Sequence, residues 1–232
     1  MIEEPPILTI VKNRPRPTQA QIDAFRGVPT GFVCDAMDGM GALETAIAPV
    51  GGRVDPQMHA AGPALVAENG PAEILATLAA ATLAQPGDVI VSSVSGWQGC
   101  SAAGDQVLGM MKNAGAAGFV TDGPMRDFEG ILQVRLPAWC TGLNPNSPYG
   151  NGPGRVGGSA VIGGVTVATG DLIVADCNGV VVVPFARIDA VIATLAKVRA
   201  LEADLETKVG DGFRSPLDLD EMLAAGRAVE ID

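Results

Sequence analysis

An α/β fold with a long C-terminal helix is predicted by three observations. Two helix-then-strand segments follow one another between residues 72 and 121, a valine-rich run with glycine turns fills residues 159–184, and residues 185–212 carry one sustained helical apolar period. The composition agrees. With 47% hydrophobic, 18% charged and 4% aromatic residues, and 30 Gly and 17 Pro in 232 positions, the chain reads as an aliphatic-cored, turn-rich globule of one domain.

Taken in order, Thr18 is a cap candidate ahead of an amphipathic run from about Ala20 to Phe25, and a second short helix is expected near Pro29. The stretch "AAGPALVAENG" reads as a strand that ends in a turn. A helix from about Ala72 to Ala84 follows, closed by Pro86-Gly87, and then a buried strand from Asp88 to Val94. The same arrangement repeats as a helix from about Gly104 to Asn113, a stop at Gly115 and a strand from Gly118 to Thr121. Such a succession predicts neighbouring parallel strands whose carboxyl ends share one edge. Residues 144–158 are expected to form a mobile loop. Gly-Gly, Thr-Gly and Asn-Gly turns then divide short strands in the manner of a meander or barrel. The long helix is apolar at Ile188, Val191, Ile192, Leu195, Val198, Leu201 and Leu205, and the tail is expected to hold one more short helix.

Charge and cysteine usage exclude several functions. A net charge of −11 argues against a nucleic-acid footprint, which needs clustered Lys and Arg. No secretory signal and no uninterrupted apolar run of membrane-spanning length is present, so a cytoplasmic location with no membrane partner is expected. Cys34, Cys100, Cys140 and Cys177 are too widely spaced for a zinc cage or a disulfide framework. His59, the single histidine, lies in no nucleophile motif and is read as structural or superficial.

The chemistry-bearing residues fall at the shared strand edge, where open parallel sheets collect their ligands. There "DGPMRD" follows one strand and "SGWQGCSAAGDQ" the other, which brings Arg126, Asp127 and Asp105 to one place. Asp105 opens a helix whose first amides favour an anion. Arg126 offers a planar fork for a carboxylate, and Asp127 is the hard oxygen donor that Mg²⁺ or Mn²⁺ takes singly while keeping waters. The set suits a metal-chelated 2-oxo acid, although spacing alone also allows Asp105 to be an ordinary helix-opening acid. Trp97 and Gln98 either touch a substrate's distal half or pack beneath their loop.

The blocks "AQPGDVIV", "GDQVLGMMKNAGAAGFVTDGPMRD" and "GGVTVATGDLIVADCNGVVVVP", with a charged helix after them, resemble the RraA-like family. The resemblance covers roughly residues 20–212, leaving an arm 1–19 and a tail 213–232, and is most specific from Gly104 to Asp127. It implies a swivelling β/β/α domain, assembled as a homotrimer or homohexamer. For the family's catalytic branch it implies a divalent-metal-dependent class II pyruvate aldolase. Such an enzyme cleaves 4-hydroxy-2-oxo acids, among them 4-hydroxy-4-methyl-2-oxoglutarate and 4-carboxy-4-hydroxy-2-oxoadipate, to pyruvate and a second carbonyl product, with accompanying oxaloacetate decarboxylation.

Residue by residue, the resemblance implies that Arg126 grips the pyruvoyl carboxylate and Asp127 ligates Mg²⁺ or Mn²⁺. Asp105 would hold catalytic water, and Gly104 with the amides of Gln106 and Val107 would receive the substrate carboxylate. Glu202, with Glu206 close by, would reach a neighbouring subunit's site. The family's other branch is a non-catalytic ribonuclease E regulator that lacks the aspartate after the arginine. Retention of Asp127 favours the enzyme over that binding protein, and a lyase or decarboxylase for another 2-oxo acid is the remaining alternative. "SAAGDQ" and "NGPAEI" depart from the family pattern at the entrance and bear on distal specificity, and "DCNGV" departs within a tight turn that Asn tolerates.

Overall fold

The computed structural model describes residues 6–52 and 58–231. Two compact units divide the chain, Met1–Leu195 and Ala196–Asp232. The division falls inside the long C-terminal helix.

The first unit begins with strand β1 (Leu8–Ile10) and two short helices, α1 (Gln19–Asp23) and α2 (Thr30–Asp35). Thr18 caps α1 in a reciprocal box: its hydroxyl accepts from the Gln21 N–H while Gln21 Oε1 accepts from the Thr18 N–H at 2.9 Å. Pro29 cannot cap α2 with a side chain, so Asp176 does it from across the fold, accepting from Thr30 N–H at 2.9 Å and from Thr30 Oγ1 at 2.8 Å. That aspartate opens the "DCNG" turn, whose polar residues the sequence reading treated only as a turn.

Strands β2 (Ala48–Pro49), β3 (Ala60–Asn69), β4 (Val89–Ser93), β5 (Gly118–Thr121) and β6 (Ala138–Cys140) follow, with helices α3 (Leu75–Leu83), α4 (Asp105–Asn113) and α5 (Phe128–Val134) between the last four. β3, β4, β5 and β6 pair in parallel, as βαβ connections require, so the parallel sheet is larger than the two strands expected. α3 starts three residues later than the sequence pattern suggests. Ala72 has φ +58°, and the buried Asn69 side chain accepts from the Ala76 N–H at 2.9 Å, supplying the cap downstream. Strand β7 (Gly154–Val156) lies inside the segment expected to be a mobile loop and pairs with β1 and β3.

The valine-rich run yields hairpin β8 (Ser159–Ile162) with β9 (Val165–Ala168), and hairpin β10 (Leu172–Ala175) with β11 (Val180–Val183). Both residues of the Gly163-Gly164 turn have positive φ, 54° and 77°, the mirror-image turn that joins a tight hairpin. β10 also pairs antiparallel with the first residues of β3, so β3 belongs to two sets of strands. Side chains alternate accordingly. Leu65, Ala67, Ile90 and Phe119 join the core under α3, α4 and α5, while Ala64, Val66, Val89, Val91 and Val120 join the core formed with β8 to β11. Trp139, fully buried in the second core, donates its indole N–H to the Asp176 carbonyl at 2.9 Å.

After a 3₁₀ turn (Phe185–Arg187), helix α6 (Ile188–Gly210) buries Ile188, Val191 and Leu195. In the second unit the same helix leaves Leu201 69% and Leu205 44% exposed. It ends at Asp211-Gly212, where the Phe213 N–H returns to the Lys208 carbonyl at 2.9 Å. Helix α7 (Leu219–Ala224) is capped by Asp218, which accepts from the Glu221 N–H at 2.9 Å. No helix among the described residues is long and apolar enough to cross a membrane. None of the four cysteines is in a disulfide.

Gly62 marks the tightest backbone approach in the sheet, because a Cβ there would lie 2.0 Å from the Gly87 carbonyl oxygen. Carbonyl and strand cannot both yield, so Gly62→Ala is expected to destabilise the protein by about 2 kcal/mol or more, read as a lower urea midpoint at unchanged slope.

Candidate active site

Two loops leave the carboxyl ends of β4 and β5 and run side by side. Ala103 bridges Met125 in parallel, the Ala102 N–H donates to the Pro124 carbonyl at 2.7 Å, and the Arg126 N–H donates to the Ala103 carbonyl at 3.1 Å. These bonds press Gly104, the N-cap of α4, against the Arg126-Asp127 pair. A Cβ on Gly104 would sit 2.5 Å from Asp127 Oδ2 and 3.3 Å from Arg126 Cγ. Gly130 does the same for the other carboxylate, since a Cβ there would lie 2.2 Å from Asp105 Oδ2. Both acids therefore rest over glycines.

Asp127 is the N-cap of α5 in the left-handed region, φ 62° and ψ 47°, where a non-glycine residue is uncommon and Asp is among the tolerated types. Its side chain makes no capping bond to α5. Instead it lies 3.3 Å from Arg126 Nε, while Arg126 Nη1 donates to Ser147 Oγ. Arg126 and Asp127, given separate tasks by the sequence, are in contact with each other here. With the two side chains 38% and 47% exposed, the pair is of the solvated kind that contributes little by itself.

Arg126, Asp127, Gly104, Asp105, Gln106 and Val107 line one cleft of about 220 Å³, together with Ser147 and the apolar Ile74 and Pro148. One expectation differs in detail. The Gln106 amide, expected to receive a substrate carboxylate, donates to Asp105 Oδ1 at 2.6 Å, because an acid in the first turn competes for the same open N–H groups. Glu202 lies half-buried and Glu206 exposed on α6, in the second unit. Trp97 is 46% exposed and packs over Gly99, while Gln98 ties three loops by donating to the Asp122 carbonyl and accepting from Thr141 Oγ1. Neither lines the cleft. Lys112 donates to the Val134 carbonyl at the end of α5, so it joins two helices as well as meeting solvent. His59, half-buried, contacts the Val28 carbonyl at 3.3 Å.

Three polar residues with no role assigned from the sequence, Ser147 on the cleft and Glu73 and Asp122 beside it in the chain's loops, fix this region. Ser147 sits in the 144–152 segment, which is fastened and not loose: the Asn144 N–H donates to Met125 O at 2.9 Å, the Ser101 N–H to Asn146 O at 2.9 Å, and Tyr149 bridges Glu73. Glu73, 6% exposed, accepts from Ile74 and Leu75 N–H through Oε1 and from Asn151 and Gly152 N–H through Oε2. Asp122, 5% exposed, accepts from Val94 and Gly96 N–H and from Ser93 Oγ, which fixes the turn after β4. Only Asp122 left a sequence signal, as the first acid of "DGPMRD". The other two act across long sequence separations.

Among the described residues no group of three or more His, Cys, Asp or Glu side chains converges as a metal cage. The cleft instead presents exposed Asp127 with Asp105 beside it on the lining. That hard-oxygen set fits an ion such as Mg²⁺ or Mn²⁺, which keeps most of its waters, and does not fit a tetrahedral zinc site.

Fold and cleft together define a β/β/α domain with an arginine and two carboxylates at the carboxyl ends of its parallel strands. The chain belongs to the RraA-like family, whose aldolase/RraA pattern matches residues 30–182. A protein of Halalkalibacterium halodurans provisionally named 4-hydroxy-4-methyl-2-oxoglutarate aldolase is 36% identical over 197 residues, 84% of this chain and 92% of that one. Among solved structures, an uncharacterised protein of Pseudomonas syringae pv. tomato superposes with a TM-score of 0.75 at 26% identity, covering 88% of this chain and 94% of the other. Streptomyces coelicolor RraAS2, described as an unusual member of the RNase ES inhibitor RraA family, gives 0.72 at 25% identity, covering 83% of this chain and 100% of the other. The family and the named relative support a lyase-type role, within a family that also holds regulators.

Asp122→Ala would orphan the Val94 and Gly96 amides, so a loss of about 2–3 kcal/mol in unfolding free energy is expected by chemical denaturation.

Proposed function

We propose that the protein is a divalent-metal-dependent lyase that cleaves 4-hydroxy-2-oxo acids to pyruvate and a second carbonyl product. The observation that carries the reading is the convergence of Arg126, Asp127 and the first turn of α4 on one cleft, with Gly104 and Gly130 leaving room for both carboxylates.

Arg126 binds the substrate carboxylate, its guanidinium fork held by Asp127 on one nitrogen and Ser147 on another. The first amides of α4 add the positive end of a helix dipole toward the same anion. Asp127 would hold Mg²⁺ or Mn²⁺, which when bound supplies Lewis-acid polarisation of the 2-oxo group. Cleavage of the C3–C4 bond requires loss of the 4-hydroxyl proton and return of a proton to C3. Asp105, seated over Gly130 at the cleft, orders the water that delivers the proton to C3, acting with Arg126. Oxaloacetate decarboxylation passes through the same pyruvate enolate and is expected to accompany the aldol cleavage. A homotrimer or homohexamer, with Glu202 serving a neighbouring subunit's site, completes the proposal. The second reading, a ribonuclease-binding regulator, draws support from the likeness to RraAS2.

The test is pyruvate release from oxaloacetate and from 4-hydroxy-4-methyl-2-oxoglutarate in a lactate dehydrogenase-coupled assay, with Mg²⁺ or Mn²⁺ and then with EDTA. Turnover that EDTA removes is expected. No turnover, joined to capture of the ribonuclease, would favour the regulator.

Asp127→Asn keeps a residue that tolerates the left-handed backbone and removes the charge, so activity should fall by about 100-fold or more while Tm is preserved. A fully active, EDTA-resistant variant would sink the proposal. Gly104→Ala should act similarly, by pushing a methyl into Asp127 Oδ2.

A further inference from the structure

At the opposite end of β4 from the cleft, the arm between β1 and α1 crosses a second, smaller pocket of about 90 Å³. Its wall is cationic in a chain that is otherwise strongly acidic. Lys12, Arg14 and Arg16 face a single carboxylate, that of Asp88. Both oxygens of that carboxylate are engaged: Oδ1 accepts from Arg16 Nη1, and Oδ2 from the Gln85 N–H at 2.8 Å. Arg16 also donates through Nη2 to the Pro86 carbonyl at 2.9 Å. Arg16 and Asp88 therefore neutralise each other, and the charges of Lys12 and Arg14 remain.

Arg14 is the telling residue. Its Nη1 is buried without a hydrogen-bond partner, the one such side-chain atom among the described residues. An orphaned guanidinium N–H is among the costlier polar groups to bury, because it has surrendered water and gained no acceptor. The stem is also confined, since a Cβ on Gly157 would lie 2.9 Å from Arg14 Cδ, so Gly157 is what allows the side chain to lie here. Thr169, on the same wall and 7% exposed, accepts the Val66 N–H at 3.0 Å through Oγ1, which leaves its O–H to donate. The wall thus carries Lys12, Arg14 and the Thr169 hydroxyl, with surplus positive charge beside one acid already paired to Arg16.

We infer that this pocket is a second anion-binding site, built by Lys12, Arg14 and Thr169 to hold one small oxyanion, either phosphate or a carboxylate. The volume suits a group of that size and not a nucleotide. The inference does not depend on the proposed chemistry of the cleft, since no residue is shared between the two sites. Occupancy would tie the arm, which enters the sheet through β1, to the start of β4 and to the turn before β10.

The experiment uses the full chain carrying Arg126→Gln, so that the cleft's own arginine cannot account for anion binding. Thermal unfolding is followed against sodium phosphate, against acetate, and against sodium chloride at matched ionic strength. A saturable rise in Tm with phosphate or acetate beyond that with chloride is expected, and whichever anion acts at lower concentration identifies the source. Adding Arg14→Gln should abolish the rise, and adding Lys12→Gln should weaken the apparent Kd by about tenfold. Should the Arg14 variant fail to fold, the Lys12 variant and calorimetric titration of the parent decide the matter. The inference is overturned if phosphate and acetate do no more than chloride, or if both variants respond as the parent does.

Discussion

Strand β3 is the constraint on which the rest of the molecule rests. Nine of its ten residues are buried, because it pairs with β10 over Ala60–Pro63, with β4 over Ala64–Glu68 and with β7 over Ala67–Asn69. A one-residue slip would send Leu65 and Ala67 into the β-hairpin core and Ala64 and Val66 under the helices, so the register is fixed from both faces at once. The same strand ends in Asn69, whose side chain bonds Thr77 and the Ser93 carbonyl and so holds α3 and the end of β4 together. Through β4 the position of the cleft is set.

At the cleft itself the backbone carries the geometry. Holding Asp127 in the left-handed region costs on the order of 1 kcal/mol. Met125, two residues earlier, helps offset that cost: it is fully buried and bridges Ala103 on one side and Leu143 on the other, which anchors the backbone entering Arg126. Two glycines then let carboxylates stand where methyl groups would otherwise lie. The backbone around the cleft thus fixes where both carboxylates stand.

Much of this could be read from the sequence, and the exceptions share one cause. The apolar patterns located β4, α4 and β5 nearly to the residue, because each packs apolar side chains into the core, and the helical period of α6 did so although only its first two turns are buried. The strand-end rule brought Asp105, Arg126 and Asp127 to one edge for the same reason. What escaped was polar and distant: Asp176 capping α2 from 146 residues away, and Glu73 binding Asn151 and Gly152 from 78 and 79. Such bonds satisfy backbone groups of segments with no periodicity, so no local pattern announces them. Residues 144–158 looked loose for that reason, since Asn, Pro and Gly signal turns equally well whether or not a buried acid holds them.

That fastening separates two tasks in the cleft. Arg126, Asp127 and the first turn of α4 belong to the loops that leave the strand ends and are bonded to each other through Ala103 and Met125. Ile74, Ser147 and Pro148 come from segments outside the sheet that are tied to each other through Glu73 and Tyr149. Under the proposed chemistry, the invariant half of a 2-oxo acid meets the sheet-borne residues, whereas the variable half faces an apolar-edged wall of independent origin. Under that reading, substitution of Ile74 or Pro148, neither of which bonds Arg126, would bear on which acid is accepted. Ser147 joins the two, because it accepts from Arg126 Nη1 and so couples the position of the wall to that of the arginine.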